Sequence, residues 1–348
     1  MKIIDLFAGV GGLSLGFEEA GFETIASVDI WEDAVLTYNH NHSNGAGIVS
    51  DIKEFNRKTL PGLLKEHVVT GVIGGPPCQG YSSARLSDRS ERIVGINEER
   101  NQLYLEFVKT VKLANPDFFL LENVRGMVSL DKGAFVEDIL RRFGSLGYSV
   151  NFKILNASDY GVPQSRQRVF FIGMKNKEFL FPDASHDVIG CKEALSDLPL
   201  RPSGNLAYKC EPKNVFQTKM RKGSSVIRNH EETKHSQQTI DIISMVPDGG
   251  SIKSLPEEYW QIRKFNKAFQ RMNSGLPSMT IDTGHRNYFH YSQNRIPTVR
   301  ESARIQSFPD RFEFLGSKTS QYKQVGNAVP PLLALALAME IKRQLKKR

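Results

Sequence analysis

The chain has 348 residues, of which 40% are hydrophobic, 24% charged and 9% aromatic. This composition excludes an intrinsically disordered protein, which would carry fewer apolar residues and a larger charge imbalance. The length predicts about two domains. Three cysteines are an odd and small set that excludes a disulfide framework. We therefore expect a cytoplasmic globular protein with no signal peptide or membrane span.

The net charge of +8 is distributed unevenly along the chain. Residues 1–174 sum to −3, residues 175–280 to +4 and residues 281–348 to +7. A slightly acidic first half joined to a basic remainder indicates that one part of the chain binds a polyanion such as nucleic acid. A charged surface that only maintains solubility is the alternative interpretation.

The first half alternates short apolar runs with helical patterns. Strands are predicted at 2–7, 24–29, 68–73, 118–122, 149–155 and 168–174, and helices at 12–20, 32–39, 101–112 and 133–143. Strands separated by helices of this length predict βαβ units. The fold class is therefore α/β, with a doubly wound, mostly parallel sheet covered on both faces.

The pattern becomes irregular from about Lys175 onward. Helices are predicted there only at 235–245, 256–272 and 330–345. A second, smaller and more irregular domain is the natural interpretation of this change.

Glycines follow the first predicted strand, at residues 9, 11 and 12. Such a turn lets backbone amides approach a ligand at a helix N-terminus. Ser14 occupies the position of the third glycine of a dinucleotide fingerprint, which disfavours a nicotinamide dehydrogenase. Asp29 ends the next strand, where an acid would hold a ribose diol, and a third strand is predicted to end near Asp51. A nucleoside cofactor is therefore expected. A glycine turn that serves only packing is the alternative.

Three further positions carry candidate chemistry. Cys78 lies in a Gly- and Pro-rich turn after an apolar run, and a cysteine in a rigid polar loop is a candidate nucleophile. Glu122 ends a strand that is expected to be buried, which would raise its pKa toward proton transfer, although a salt-bridged structural Glu is the common alternative. Arg166 and Arg168 alternate into the last strand and are predicted to share a face, where they could bind phosphate or a carbonyl oxygen.

In type and order, these stretches resemble the motifs of the cytosine-C5 DNA methyltransferases. The resemblance extends from residue 5 to about residue 331 and leaves 180–275 largely unmatched. It rests on the glycine strand, PPCQ at 76–79, ENV at 122–124, QSRQR at 164–168, TVRESARIQSFPD at 298–310 and GNAVP at 326–330. It implies a Rossmann-like methyltransferase fold. The cofactor-binding and catalytic domain would comprise 1–178 plus 322–348, and the target-recognition domain and hinge would comprise 179–321.

The resemblance implies methyl transfer from S-adenosylmethionine to C5 of a cytosine that is flipped out of double-stranded DNA. Cys78 would add to C6 of the base, and Glu122 would protonate or hydrogen-bond N3. Arg168 would contact O2, Arg166 would position Glu122 and the thiol loop, and Asn123 would orient the base or the loop.

The resemblance also implies the residues that bind S-adenosylmethionine. Ile30 stands where family members often carry an aromatic residue, so stacking on the adenine would be lost. The implied residues are Phe7, Ala8, Gly9, Gly11, Gly12, Asp29, Ile30, Asp51, Ile52, Pro77, Leu103, Asn327 and Val329.

Two stretches are predicted to contact DNA. Residues 80–97 are expected to form a mobile loop that closes over the flipped nucleotide, and residues 282–293 are the preferred specificity element. The predicted DNA contacts are Ser82, Arg85, Arg89, Thr280, His285, Arg286 and Tyr288. For Arg271 and other basic residues of the middle segment, a solvated face is favoured over DNA contact. No metal site is expected, because the histidines lack a nearby cysteine pair.

We expect a monomeric, sequence-specific enzyme of bacterial or phage type, with double-stranded DNA as partner and a cognate restriction endonuclease able to act at the same site. A tRNA cytosine methyltransferase is the main alternative, but its cysteine-phenylalanine-threonine signature is missing. A catalytically inactive DNA-binding protein is disfavoured, because Cys78, Glu122, Arg166 and Arg168 are all present.

Overall fold

A computed structural model describes residues 1–77, 102–185, 187–203, 206–208, 210–260, 269–284 and 288–346. The chain divides into two compact units. The first unit comprises Met1–Asn156, Gln167–Asp183 and Ala334–Arg348, and the second comprises Ala157–Arg166 and Ala184–Leu333. Residues 322–333, which the sequence assigned to the cofactor-binding domain, lie in the second unit.

A seven-stranded sheet with the order β3-β2-β1-β4-β5-β7-β6 forms the centre of the first unit. Its strands are β1 Lys2–Leu6, β2 Glu23–Asp29, β3 Gly47–Val49, β4 Val69–Gly74, β5 Phe118–Val124, β6 Tyr148–Asn156 and β7 Gln167–Lys175. The first five strands pair in parallel, which confirms the predicted doubly wound, mostly parallel α/β sheet. Strand β7 runs antiparallel to both β5 and β6. No crossover helix separates β6 from β7, so parallel pairing is not available to them.

Helices connect the parallel strands of the first unit. They are α1 Gly12–Glu19, α2 Glu32–Asn41, α3 Ile52–Glu54, α4 Leu60–Glu66, α5 Gln102–Ala114 and α6 Ala134–Ser145. A π-helical segment, Phe55–Thr59, joins α3 to α4, and a 3-10 segment, Arg125–Gly133, precedes α6. The core is aromatic: the fully buried ring of Phe119 on β5 stacks on Phe143 of α6, with centroids 3.9 Å apart. Truncating such a ring to Ala costs about 3–5 kcal/mol, so this contact fixes α6 on the sheet.

The second unit has short helices and two small sheets. Its helices are α7 Cys191–Leu195, α8 Val215–Arg221, α9 Gln237–Met245, α10 Val299–Ile305 and α11 Lys318–Asn327, and its strands are β8 Leu206–Ala207, β9 Val226–Ile227, β10 Gln270–Arg271 and β11 Tyr288–Phe289. The helix predicted at 256–272 is wrong where the structure describes it. A 3-10 turn occupies Glu257–Tyr259, and β10 pairs with β11. Backbone pairing with a distant segment overrides the local helical periodicity there.

Buried ion pairs organise the second unit. The Arg304 guanidinium is fully buried between the carboxylates of Asp197 and Asp310, with its Nε 2.8 Å from Asp310 Oδ1. Arg295 forms a bidentate ion pair with Glu301, in which both N–O distances are 2.7 Å. Removing one partner of a buried pair costs about 3–5 kcal/mol because the other charge is left uncompensated.

The last helix, α12 Pro331–Lys346, carries an apolar face. Among the described residues, one helical stretch, Lys318–Lys346, is long and apolar enough to cross a membrane, and 61% of its apolar window is buried. The side chains of Leu333, Leu337 and Ile341 are fully buried, as in the core helix of a globular protein.

Candidate active site

The turn after β4 passes directly over the end of β5. A Cβ added at Gly74 would lie 2.2 Å from the Leu6 carbonyl oxygen, and one at Gly75 would lie 2.8 Å from Glu122 Oε2. At Gly74 only glycine allows this approach, because the close atom belongs to the backbone, whereas at Gly75 an added side chain would displace the Glu122 carboxylate. Because β4 and β5 are parallel neighbours, their carboxyl ends meet at the edge of the sheet where α/β proteins bind ligands.

Asn123 anchors this turn to β5. Its buried side-chain amide donates to the Pro76 carbonyl over 2.9 Å, and its Oδ1 accepts from the Val124 backbone N–H over 2.8 Å. Pro77 follows directly, and Cys78 lies outside the described residues. Asn123 thus fixes the backbone two residues ahead of the predicted nucleophile.

Glu122 and Arg168 form an ion pair at the same edge of the sheet. The register pairs Val124 with Arg168, so Glu122 and Arg168 are diagonal neighbours on one face of β5 and β7. Arg168 Nε lies 3.1 Å from Glu122 Oε1, with the side chains 17% and 13% exposed. Burial lowers the pKa of Arg168, whereas the Glu122 carboxylate acts in the opposite direction. An arginine stays charged under these conditions, so the pair holds the carboxylate beside the Gly75 turn.

Arg166 occupies a different environment from Arg168. Strand β7 begins at Gln167, so the prediction that both arginines lie on this strand and share a face is wrong. The buried Arg166 guanidinium donates to the carbonyls of Ile281, over 3.2 Å, and Gly326, over 3.0 Å. A Cβ at Gly326 would lie 2.6 Å from the Asp282 carbonyl oxygen, so glycine permits this close approach. Arg166 therefore joins two segments within the second unit.

The loop between β1 and α1 has an unusual backbone. Phe7, Gly9 and Gly11 all have positive φ angles, of 57°, 55° and 81°, and such an angle is rare for a residue as bulky as Phe7. Strained backbone of this kind concentrates at ligand sites, where the surrounding structure holds it in place. No atom lies within 4 Å of a Cβ built on Gly9, so this side of the loop faces open space.

Asp29 connects this loop to the end of β2. Its carboxylate accepts from the backbone N–H groups of Gly9, over 2.8 Å, and Trp31, over 2.9 Å. Burial raises the pKa of Asp29, and these backbone donors oppose the rise. Ile30, the next residue, exposes 69% of its surface, although it is apolar.

The predicted adenine-edge residues follow β3. The Asp51 carboxylate caps α3 by accepting from the Lys53 N–H over 2.7 Å, and Ile52 is buried in the core. The Ser50 N–H donates to the Asp29 carbonyl over 3.0 Å, which holds this segment beside the end of β2. Leu103 lies on α5 and packs against the same core.

These features fit the nucleoside part of S-adenosylmethionine. A carboxylate, an exposed apolar side chain and a loop with open space beside it lie at the carboxyl ends of neighbouring strands, β1 and β2. A ribose diol can donate to the carboxylate, and an adenine can lie against the apolar side chain. Ala8 belongs to the same loop, and Gly12 is the first residue of α1, which follows it.

The predicted site residues of the second unit differ in burial. Asn327 ends α11 and is exposed, whereas Val329 is buried. Thr280 is exposed, and its hydroxyl donates to the Ser165 carbonyl over 2.9 Å. Tyr288 is 2% exposed, so the structure corrects its predicted DNA contact to a position in the interior. The predicted DNA contacts Ser82, Arg85, Arg89, His285 and Arg286 lie outside the described residues.

Sequence reasoning also missed residues that organise the second unit. Arg271 is buried rather than solvated, and its guanidinium donates to the carbonyls of Val246, over 2.7 Å, and His290, over 3.1 Å. Gln164 accepts from the Ile281 N–H over 2.8 Å and donates to Gln306 Oε1 over 2.7 Å. Gln164 lies inside the QSRQR motif and Gln306 inside TVRESARIQSFPD. Membership of these motifs was the available signal that the two side chains matter.

Comparison with known proteins adds an independent finding. The family model for C-5 cytosine-specific DNA methylases matches residues 1–343. Type II methyltransferase M.DdeI of Desulfomicrobium norvegicum is 41% identical, with 98% of this chain and 88% of the relative covered. Type II methyltransferase M1.HphI of Haemophilus parahaemolyticus is 40% identical, with 97% and 86% covered.

Solved structures agree with this match. One, assigned as a DNA modification methyltransferase encoded within an E. coli prophage, has a TM-score of 0.83 and 27% identity over 99% of both chains. The S. pombe Dnmt2 methyltransferase shares the fold, with a TM-score of 0.59, 17% identity and coverage of 100% of this chain and 99% of that one. The chain therefore belongs to the C-5 cytosine-specific DNA methylase family and is a DNA cytosine-5-methyltransferase related to the methyltransferases of Type II restriction-modification systems.

Proposed function

We propose that this enzyme methylates C5 of a flipped-out cytosine within a specific double-stranded DNA sequence, through a covalent bond between Cys78 and C6 of the base. The observation that carries the proposal is the anchored turn ahead of Cys78. The Asn123 amide holds the Pro76 carbonyl, and Glu122 lies against Gly75 on the same strand end. Nucleophile and carboxylate are thus attached to adjacent ends of β4 and β5.

The chemistry requires covalent activation because cytosine C5 is a weak nucleophile. The Cys78 thiolate forms a bond to C6, and the electrons of the C5–C6 double bond move toward C5 and N3. Protonated Glu122 donates to N3 or transfers its proton there, and Arg168 keeps that carboxyl group in place while contacting O2. C5 would then bond to the methyl carbon as its bond to the sulfonium sulfur breaks, and S-adenosylhomocysteine would be the leaving group. C5 next loses its proton to a water-derived base, and the bond between C6 and the Cys78 sulfur breaks, which restores the C5–C6 double bond and the thiolate.

Bound S-adenosylmethionine supplies an electrophilic methyl group. Asp29 accepts hydrogen bonds from the ribose hydroxyls, and Ile30 provides an apolar surface for the adenine. The backbone of residues 7–12 surrounds the methionine part, and Asp51, Ile52, Pro77 and Leu103 complete the residues assigned to this cofactor. Contacts from Asn327 and Val329, and a contribution of Arg166 to the position of Glu122, stay predictions.

The second unit supplies DNA recognition in this proposal. Its exposed Thr280 hydroxyl is held against the Ser165 carbonyl and is assigned to the phosphate beside the flipped base. Proteins that bind DNA through phosphate contacts lose affinity steeply as salt rises. The enzyme is expected to act as a cytoplasmic monomer on DNA, alongside a restriction endonuclease for the same site.

The test compares Cys78→Ala with Cys210→Ala, since Cys210 is a free, exposed cysteine of the second unit. We expect Cys78→Ala to abolish methyl transfer to duplex DNA while DNA binding persists, and Cys210→Ala to behave like the wild type. Duplex DNA that contains 5-fluorocytosine should trap a covalent complex only when Cys78 is present. Methylation by Cys78→Ala would contradict the mechanism, and labelling of tRNA but not duplex DNA would favour the tRNA alternative.

Bisulfite sequencing of a plasmid exposed to the enzyme then identifies the modified base and its sequence context. A single recurring context supports sequence-specific methylation. Conversion at every cytosine, as in untreated plasmid, would contradict the proposal.

A further inference from the structure

Two aromatic rings of α2 and its C-terminal boundary support the loop between β1 and α1. His42 is buried and follows α2 directly, and its ring stacks on that of Tyr38, with centroids 3.9 Å apart and planes 9° from parallel. A Cβ built on Gly11 would lie 2.5 Å from Tyr38 Cε2 and 2.6 Å from His42 Nε2. The loop backbone therefore rests directly on this ring pair, with no space for a side chain between them.

His42 also joins the loop to the helix that follows it. Its Nε2 lies 3.3 Å from the Val10 carbonyl oxygen, and its Nδ1 lies 2.7 Å from Glu18 Oε2 on α1. The Val10 carbonyl and the Glu18 carboxylate are both acceptors, so the imidazole is the donor side of these contacts. The second Glu18 oxygen accepts from the Thr24 hydroxyl over 3.1 Å, which ties the arrangement to β2.

A second buried contact holds the other ends of the same loop. The Ser14 hydroxyl on α1 donates to Asp5 Oδ2 at the end of β1 over 2.6 Å, and both side chains are fully buried. This hydrogen bond therefore connects the strand before the loop to the helix after it. The strained residues between them, including Phe7 and Gly9, have a rigid frame on each side.

We propose that His42, with Glu18 and Tyr38, positions the Val10 and Gly11 backbone for S-adenosylmethionine. This inference rests on the proposed function, which assigns the same loop to that cofactor. His42 contacts the loop through the backbone of Val10 and Gly11, so it acts as a positioning residue rather than a catalytic one. Its substitution should change cofactor affinity and leave the chemical step intact.

The experiment uses two substitutions at one position. In His42→Asn the amide nitrogen stands near Nδ1 and can still donate to Glu18, but the donor to Val10 is lost. In His42→Gln the longer side chain places its amide nitrogen near Nε2 and restores a donor to Val10. We expect His42→Asn to raise the Kd and the KM for S-adenosylmethionine by about tenfold, as the loss of one buried hydrogen bond implies. His42→Gln should recover most of this loss.

The other kinetic constants separate positioning from a general structural effect. At saturating cofactor, kcat and the KM for DNA should match the wild type in both variants. His67→Asn is the matched control, because His67 bonds Lys2 Nζ over 3.1 Å at the opposite end of β1. Calorimetric titration with S-adenosylmethionine in the absence of DNA measures the Kd directly, and thermal unfolding without ligand measures stability.

A folded His42→Asn protein that binds the cofactor with the wild-type Kd would overturn the inference. If that variant does not fold, Glu18→Gln replaces it, since the amide keeps the shape of the carboxylate and removes its charge from the contact with His42, while the amide oxygen can still accept from the Thr24 hydroxyl. An unchanged Kd in Glu18→Gln would overturn the inference equally. A wild-type chain that binds no S-adenosylmethionine would instead overturn the proposed function on which the inference rests.

Discussion

The anchor between Asn123 and the Pro76 carbonyl gives the sharpest prediction. In Asn123→Ala the Pro76 carbonyl loses its 2.9 Å partner, and the Val124 N–H loses its 2.8 Å acceptor. Asn123 is 5% exposed, so little water replaces these contacts. The turn two residues ahead of Cys78 then becomes free to move relative to β5.

The expected size of the effect follows from the hydrogen bonds. A buried donor or acceptor left without a partner costs about 1–3 kcal/mol. If the bound enzyme must recover this order before Cys78 attacks, the cost raises the barrier, and kcat falls by about tenfold to a hundredfold. The cofactor contacts assigned to the loop after β1 should persist, because that loop does not depend on Asn123.

The assay measures methyl transfer from labelled S-adenosylmethionine and the rate of covalent trapping on 5-fluorocytosine DNA. Asn151→Ala is the control, since Asn151 lies on β6, at the far edge of the sheet, and its amide donates to the Phe179 carbonyl over 2.8 Å. Both variants should lose stability, and only Asn123→Ala should lose activity. Equal kcat and equal trapping rates in the two variants would refute the anchoring role.

Three further predictions concern single residues. Glu122→Gln should slow methyl transfer by about a hundredfold or more, because the amide cannot exchange a proton with N3; a near-normal rate would remove that role. Ile30→Asp should weaken S-adenosylmethionine binding about tenfold in calorimetry, since an exposed apolar contact is lost beside the Asp29 carboxylate; unchanged binding would exclude Ile30 from the site. Asp5→Asn should stabilise the protein increasingly from pH 4 to pH 8. Burial raises the pKa of Asp5 from 3.8, its value in the unfolded chain, to about 7 in the folded protein. Between these two pH values the ionisation of Asp5 increasingly favours the unfolded chain, and above pH 7 it lowers the free energy of unfolding by about 4 kcal/mol. Urea unfolding at both pH values checks this, and a pH-independent difference between the proteins would contradict it.

Five strands of the first unit, β1, β2, β4, β5 and β7, were predictable because they are largely buried. Phe118 to Leu121 on β5 are all fully buried, and a continuous apolar run is the signature of a strand covered on both faces. For strand β3 only an end near Asp51 was predicted, because the strand has three residues and Val49 is exposed. The antiparallel direction of β7 was also hidden, since side-chain periodicity is the same in either direction.

The polar contacts of the second unit could not be predicted, for a different reason. Its polar side chains form contacts between segments that are far apart in the sequence, such as Arg271 with Val246 and His290. Charge suggested a solvated face for Arg271, and the aromatic and histidine content of residues 282–293 suggested DNA contacts for Tyr288. Both side chains are buried, and nothing local in the sequence distinguishes a buried arginine that binds carbonyls from an exposed one.

Arg166 and Arg168 show which side-chain positions can be assigned from the sequence and which need the tertiary structure. The two residues stand two positions apart in one motif and have the same chemistry, yet Arg168 pairs with Glu122 and Arg166 binds the carbonyls of Ile281 and Gly326. The apolar run placed Arg168 on the last strand, and the register sets it diagonally across from the end of β5, although its pairing with Glu122 was not predicted. The role of Arg166 depends on carbonyls more than a hundred residues later in the chain. A polar residue at the end of a buried strand can therefore be assigned from sequence, whereas one that precedes the strand needs the tertiary structure.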